Sequence, residues 1–145
     1  LGDRVTIHHG RAADAETIAL PTDRPLCFLT AFVLQEMLEQ DDEVAVENLL
    51  TTVMKTHPDA HWLVVEVDHQ LDDRATMAHS LGLAYYNPYF LLHAITEQRL
   101  EPKAFWDQLF ERAGLEVAAF GHPDVNVDST ELELGYLLRR SQDGR

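Results

Sequence analysis

Cysteine is nearly missing from these 145 residues. Cys27 is the one thiol, so no internal disulfide forms, and a reducing, cytoplasmic setting is favoured. It lies in the apolar run Leu26-Cys27-Phe28-Leu29 and reads as a small buried hydrophobe rather than a nucleophile, since no neighbouring charge would lower its pKa. Positive charge is also scarce: 11 Lys+Arg stand against 25 Asp+Glu, a formal net charge of -14. A surface that acidic repels phosphate backbones and anionic lipid, which excludes general nucleic-acid binding and docking on such membranes. No apolar run approaches the length of a membrane span. The seven glycines are scattered, so the chain has no phosphate-binding glycine loop. It has no Gly-x-Ser-x-Gly elbow and no recognised Cys/His pair. The eight histidines, among them His8, His9, His57, His61 and His69, lack any established ligand spacing, so no metal is expected. Leu1 stands where an initiator Met would, and nothing near it resembles a signal peptide.

What is present suffices for one compact domain: 46% of residues are apolar and 25% charged, and no low-complexity tract or Pro/Gly-rich linker marks a second. Alternation in Arg4-Val5-Thr6-Ile7-His8 reads as a short strand ended by Gly10, followed by a helical turn over Asp14 to Ala19 that stops at Pro21. Leu26 to Thr30 is an uninterrupted apolar run, as in a strand covered on both faces, and Val33, Leu34, Met37 and Leu38 continue at helical spacing. Asp41-Asp42-Glu43 opens a helix whose buried stripe is Val46, Leu49, Leu50, Val53 and Met54. Trp62 to Val67 is a strand, and residues 70 to 86 read as loop with some helix. Asn87-Pro88 supplies an N-cap and first helical position, with Leu91, Leu92 and Ile95 along one face. Glu101-Pro102 starts a helix burying Phe105, Trp106, Leu109 and Phe110, with Gly114 as its stop. Leu115 to Phe120 and the alternating Leu132, Leu134, Tyr136 and Leu138 follow as an antiparallel pair. The expected class is α/β: a partial doubly wound, mostly parallel sheet with helices on both faces and a C-terminal antiparallel hairpin.

Ligands in open α/β sheets bind beyond the carboxyl ends of strands. Those ends carry His8-His9-Gly10-Arg11, Thr30-Ala31-Phe32 and Glu66-Val67-Asp68-His69. Tyr85-Tyr86-Asn87-Pro88-Tyr89-Phe90 bunches more aromatic surface before a helix than a core needs and could wall a small-molecule pocket; a helix N-terminus packed on a loop is the plainer reading.

The order of these segments resembles the C-terminal half or more of a class I S-adenosylmethionine-dependent methyltransferase, so that residues 1–145 would be the C-terminal portion of a Rossmann-like catalytic domain. Arg4 to Asp14 looks like that family's third strand and exit loop, Pro25 to Met37 like its fourth strand and helix, and His61 to Asp68 like the fifth strand. Phe105 to Val117 is similar to the last helix and sixth strand, and Leu132 to Arg139 to the closing antiparallel strand. The resemblance implies S-adenosylmethionine as cofactor, met at the adenine by Arg11 and the backbone of Ala12 and flanked at the sulfonium by Thr30, Ala31 and Phe32. The family commonly has an acidic residue where Arg11 stands, and many small-molecule members have His where Gln35 stands, so a base role is not inherited there. Gln35, Tyr85, Tyr86 and Tyr89 would bind the methyl acceptor, and His93 is the candidate general base.

In the family the glycine-rich loop and ribose-binding acid lie upstream of the segments matched here, in two further strand-helix units, a βαβ unit taking about 30 residues. Their absence leaves the Leu26 to Thr30 strand with an unpaired apolar edge. The implied partners are therefore a small-molecule acceptor and the upstream half of the domain or a completing chain; self-association through that edge is the other way to satisfy it. The rival reading is a noncatalytic α/β interaction module that uses the aromatic cluster and the edge to bind a protein. A hydrolase or metal enzyme ranks last.

Overall fold

The computed structural model describes residues 4–18, 20, 23–96 and 98–142. A four-stranded sheet runs in the order β1 (Cys27–Ala31), β2 (His61–Val67), β4 (Glu133–Arg140), β3 (Leu115–Gly121). β1 and β2 are parallel, while β2 and β3 both pair antiparallel with β4. The α/β class and the closing hairpin hold, but the sheet over the described residues is mixed rather than mostly parallel. The physical reason is that the last strand folds back between β2 and β3, and two of the three pairings are its own.

Three helices cover one face: α1 (Leu34–Gln40), α2 (Glu43–Thr56) and α5 (Lys103–Arg112). α2 begins where the acids predict, with Asp42 Oδ1 accepting the Ala45 N–H at 2.7 Å, and it buries Val46, Leu49, Leu50, Val53 and Met54. α5 adds Trp106, Leu109 and Phe110, packed on Trp62, Val64, Leu134, Tyr136 and Leu138 of the sheet. Gly114 turns the chain out of α5 with φ 74°, a conformation a side chain would strain. On the opposite face cover is partial among the described residues: Val67, at the end of β2, is buried against Met77, Tyr86 and Phe90. Leu29 (65% exposed) and Leu63 lie open on the opposite face, and Cys27 is exposed on the same side of β1 instead of being buried. Alternation along β1 and β2 places these odd-numbered residues away from the helices, and among the described residues nothing packs over them.

Arg4 to His8 does not form the expected strand: residues 5–9 are irregular and exposed, Ile7 at 89%. A strand needs a neighbour to take its N–H and C=O groups, and this segment has no ladder among the described residues. The turn that follows is a 3-10 helix, Ala12–Thr17, beside α2; the expected stops at Ala19 and Pro21, like Leu1, lie outside the described residues. β1 pairs only with β2, so its other edge is open among the described residues, as expected. None of the helices is long and apolar enough to cross a membrane among the described residues.

Candidate functional site

The carboxyl ends of β1 and β2 meet the start of α1. β1 is followed by Phe32, whose φ of 58° is left-handed and whose N–H donates to Val65 O at 2.9 Å. Such a conformation is costly for a residue with a Cβ and tends to gather at functional sites. Thr30 Oγ1 accepts from the Trp62 indole at 3.1 Å, and Ala31 is exposed.

At the end of β2, Glu66 is completely buried. Its Oε1 accepts the Leu34 N–H at 3.0 Å, tying β2 to the first turn of α1, while Oε2 has no partner. Burial pushes its carboxyl up to about 8, against the lowering effect of the Leu34 and Gln35 amides. The chain after β2 holds α3 (Arg74–Met77), a π-helical turn (Gly82–Tyr86) and α4 (Asn87–His93). Gly82 is needed there: a Cβ would lie 2.0 Å from the Thr76 carbonyl oxygen. Asn87 is not an N-cap, because the π turn runs directly into α4. Its amide instead donates to Met77 O at 3.0 Å. Leu91, Leu92 and Ile95 lie exposed.

This segment turns Tyr85 outward and Tyr86 inward. Tyr85 and Tyr89 stack at 5.7 Å, and the His93 ring sits 3.8 Å from Tyr89. His93 Nδ1 is 2.7 Å from the Tyr89 carbonyl oxygen. A carbonyl only accepts, so Nδ1 carries a proton, and Nε2 is the ring nitrogen that can act as a base. Gln35, 1% exposed, donates from Nε2 to the Tyr89 phenol (3.3 Å) and to Gln98 Oε1 (2.9 Å), while its own Oε1 lacks a partner. Burial raises the Tyr89 pKa. Tyr86 is 3% exposed and packs with Val67, Met77, Phe90 and Leu132, so it forms the floor of the aromatic segment rather than its surface.

The structure thus brings Gln35, Tyr85, Tyr86, Tyr89 and His93 into one hydrogen-bond and ring-contact network. Among the described residues that network does not include Arg11, Ala12, Thr30, Ala31 or Phe32. Arg11 is held instead by an ion pair to Asp41 at the end of α1, and Ala12 opens the 3-10 turn beside α2. The sequence places Glu66 at a carboxyl strand end, in Glu66-Val67-Asp68-His69, but assigns it no role. Its even position, in phase with Trp62 and Val64, was the signal that it points inward. No three His, Cys, Asp or Glu side chains gather as metal ligands among the described residues.

No family model matches the chain. A 2-ketoarginine methyltransferase of Streptomyces arginensis is 51% identical over 122 residues, 84% of this chain and 35% of that protein. Among solved structures, a mitomycin 7-O-methyltransferase superposes with a TM-score of 0.63 at 20% identity. An N,N-8-amino-8-demethyl-D-riboflavin dimethyltransferase from Streptomyces davawensis does so with 0.54 at 17% identity. Each of these two alignments covers 96% of this chain and 35% of the other, so the chain spans about a third of the length of the relatives it matches. In sequence the chain is similar to a methyltransferase over about a third of that protein's length, and its fold is the one those two methyltransferase structures have over the matched part.

Proposed function

We propose that this chain contributes the carboxyl-end half of an S-adenosylmethionine-dependent active site that methylates a small molecule, of the 2-keto-acid kind named for its relative. The observation that carries the reading is the 51% identity to a 2-ketoarginine methyltransferase. When bound, the cofactor supplies an electrophilic methyl on a sulfonium. The residues present suit its methionine end: the left-handed turn at Phe32 follows Thr30 and Ala31 at the carboxyl ends of two parallel strands, with Ala31 and Phe32 exposed. Arg11 and Ala12 are assigned to the adenine side. Tyr85 and Tyr89 hold the acceptor against this end, with Gln35 fixing the Tyr89 phenol.

Transfer is an in-line displacement, so the protein contributes mainly alignment. Where the acceptor must lose a proton, His93 Nε2 takes it, because the Tyr89 carbonyl holds the Nδ1 proton in place. The open β1 edge and the bare Leu29/Leu63 face, which a binding module would use, are the surfaces that further strands and helices of a methyltransferase domain would cover. Further chain, in the same molecule or in a completing one, fits both. The exposed Cys27 thiol suits a reducing cytoplasm.

The test is methyl transfer from S-adenosylmethionine to 2-ketoarginine by the complete protein, followed as S-adenosylhomocysteine release. Turnover supports the reading, and cofactor binding without transfer to any 2-keto acid overturns the acceptor assignment. His93→Ala is expected to slow turnover about 100-fold or more with little change in cofactor affinity; unchanged turnover removes His93 as the base.

A further inference from the structure

Asp128, in the connection between β3 and β4, is 3% exposed, yet its carboxyl is held below the usual range. Burial opposes the charge, and the donors outweigh it. Oδ1 accepts the N–H (2.9 Å) and hydroxyl of Thr130, and Oδ2 accepts the Glu133 N–H (3.0 Å). These bonds close the loop on itself. The remaining one leaves it: the Tyr86 phenol, 42 residues away in sequence, donates to Oδ2 at 2.9 Å.

Tyr86 is the inward ring of the aromatic segment. It meets Tyr85 edge-on at 5.1 Å and Tyr89 at 6.2 Å, the two rings that stack on each other. The segment is fixed along its axis by Gly82 against the Thr76 carbonyl and by Asn87 on Met77. The phenol bond adds a tie from the inward ring to the β3–β4 connection, beside the burial of Tyr86 and Phe90 and the Gln35 bond to Tyr89, and π turns of this kind recur at functional sites.

We propose that the Asp128–Tyr86 hydrogen bond is a positioning latch through which the β3–β4 connection sets the orientation of Tyr85, Tyr89 and His93, and so which methyl acceptor fits against them. The latch rests on the reading that this face meets the acceptor. Tyr86 and Asp128 are positioning residues, since neither reaches the outer surface of the aromatic stack.

Tyr86→Phe keeps the ring and leaves Asp128 its three loop donors, so folding survives the test. In the complete methyltransferase, the acceptor KM is expected to rise about tenfold, as befits one lost bond to a charged group, with S-adenosylmethionine affinity unchanged. Amide exchange over residues 84 to 93 is expected to quicken. Asp128→Asn should act in the same direction, and the double variant should be no worse in KM than the more severe single variant, because both remove one contact. Additive losses in KM overturn the latch, as does Tyr86→Phe with unchanged KM and unchanged exchange. If the protein transfers no methyl group, the activity reading fails separately, and exchange alone decides: quickened exchange in Tyr86→Phe supports the latch and normal exchange overturns it.

Discussion

Single residues in this fold carry consequences that their neighbours in sequence do not announce. Glu66 is the clearest: a carboxyl raised to about 8 by burial binds a proton in the folded protein between its ordinary value of 4.5 and 8, where the unfolded chain has lost it. Stability therefore falls as pH rises through that window. Glu66→Gln removes the titration, so the melting temperature of the variant should depend less steeply on pH between 5 and 8, with its largest gain over wild type near pH 8. Parallel pH profiles for the two proteins would show that Glu66 is not held protonated. Gly82 is equally constrained, because a Cβ there would lie 2.0 Å from a backbone oxygen that has no flexible way to retreat. Gly82→Ala should cost roughly 2 kcal/mol or more in denaturant unfolding and disturb the tyrosine stack; a cost within 0.5 kcal/mol, the surface-substitution range, would mean the π turn yields freely.

At the scale of elements, legibility followed the environment of each segment. α2 and α5 were readable because each buries one stripe on one core, and the acids Asp41-Asp42-Glu43 mark the start of α2. Asp42→Ala should therefore destabilise the protein by about 1 kcal/mol in chemical denaturation, the usual cost of a lost N-cap; no change would deny the cap. The alternation of Leu132, Leu134, Tyr136 and Leu138 was readable because β4 is central and buried toward the helices on one face. Arg4 to His8 misled because alternation states only which face a strand would bury, and this segment has no neighbour over the described residues to bury it. The candidate site was half legible. Its aromatic residues stood out as a cluster, but the inward turn of Tyr86, the role of Gly82 and the tie from Glu66 to Leu34 depend on contacts across 6 to 42 residues that periodicity does not carry.

At the scale of the molecule, one sheet face packs three helices while the other leaves Leu29 and Leu63 open, and β1 has one unpaired edge among the described residues. Open apolar faces and edges of this kind are costly to leave in water and favour further pairing. The chain spans 35% of its curated relative, which accords with an arrangement completed by strands and helices beyond these. Arg11 and Ala12 lie apart from the tyrosine network, Arg11 paired with Asp41 and Ala12 at the start of the 3-10 turn. The most direct measurement is calorimetric titration of S-adenosylmethionine into the complete protein. The account predicts saturable binding at one site, whereas no heat of binding from that complete, folded protein would contradict it.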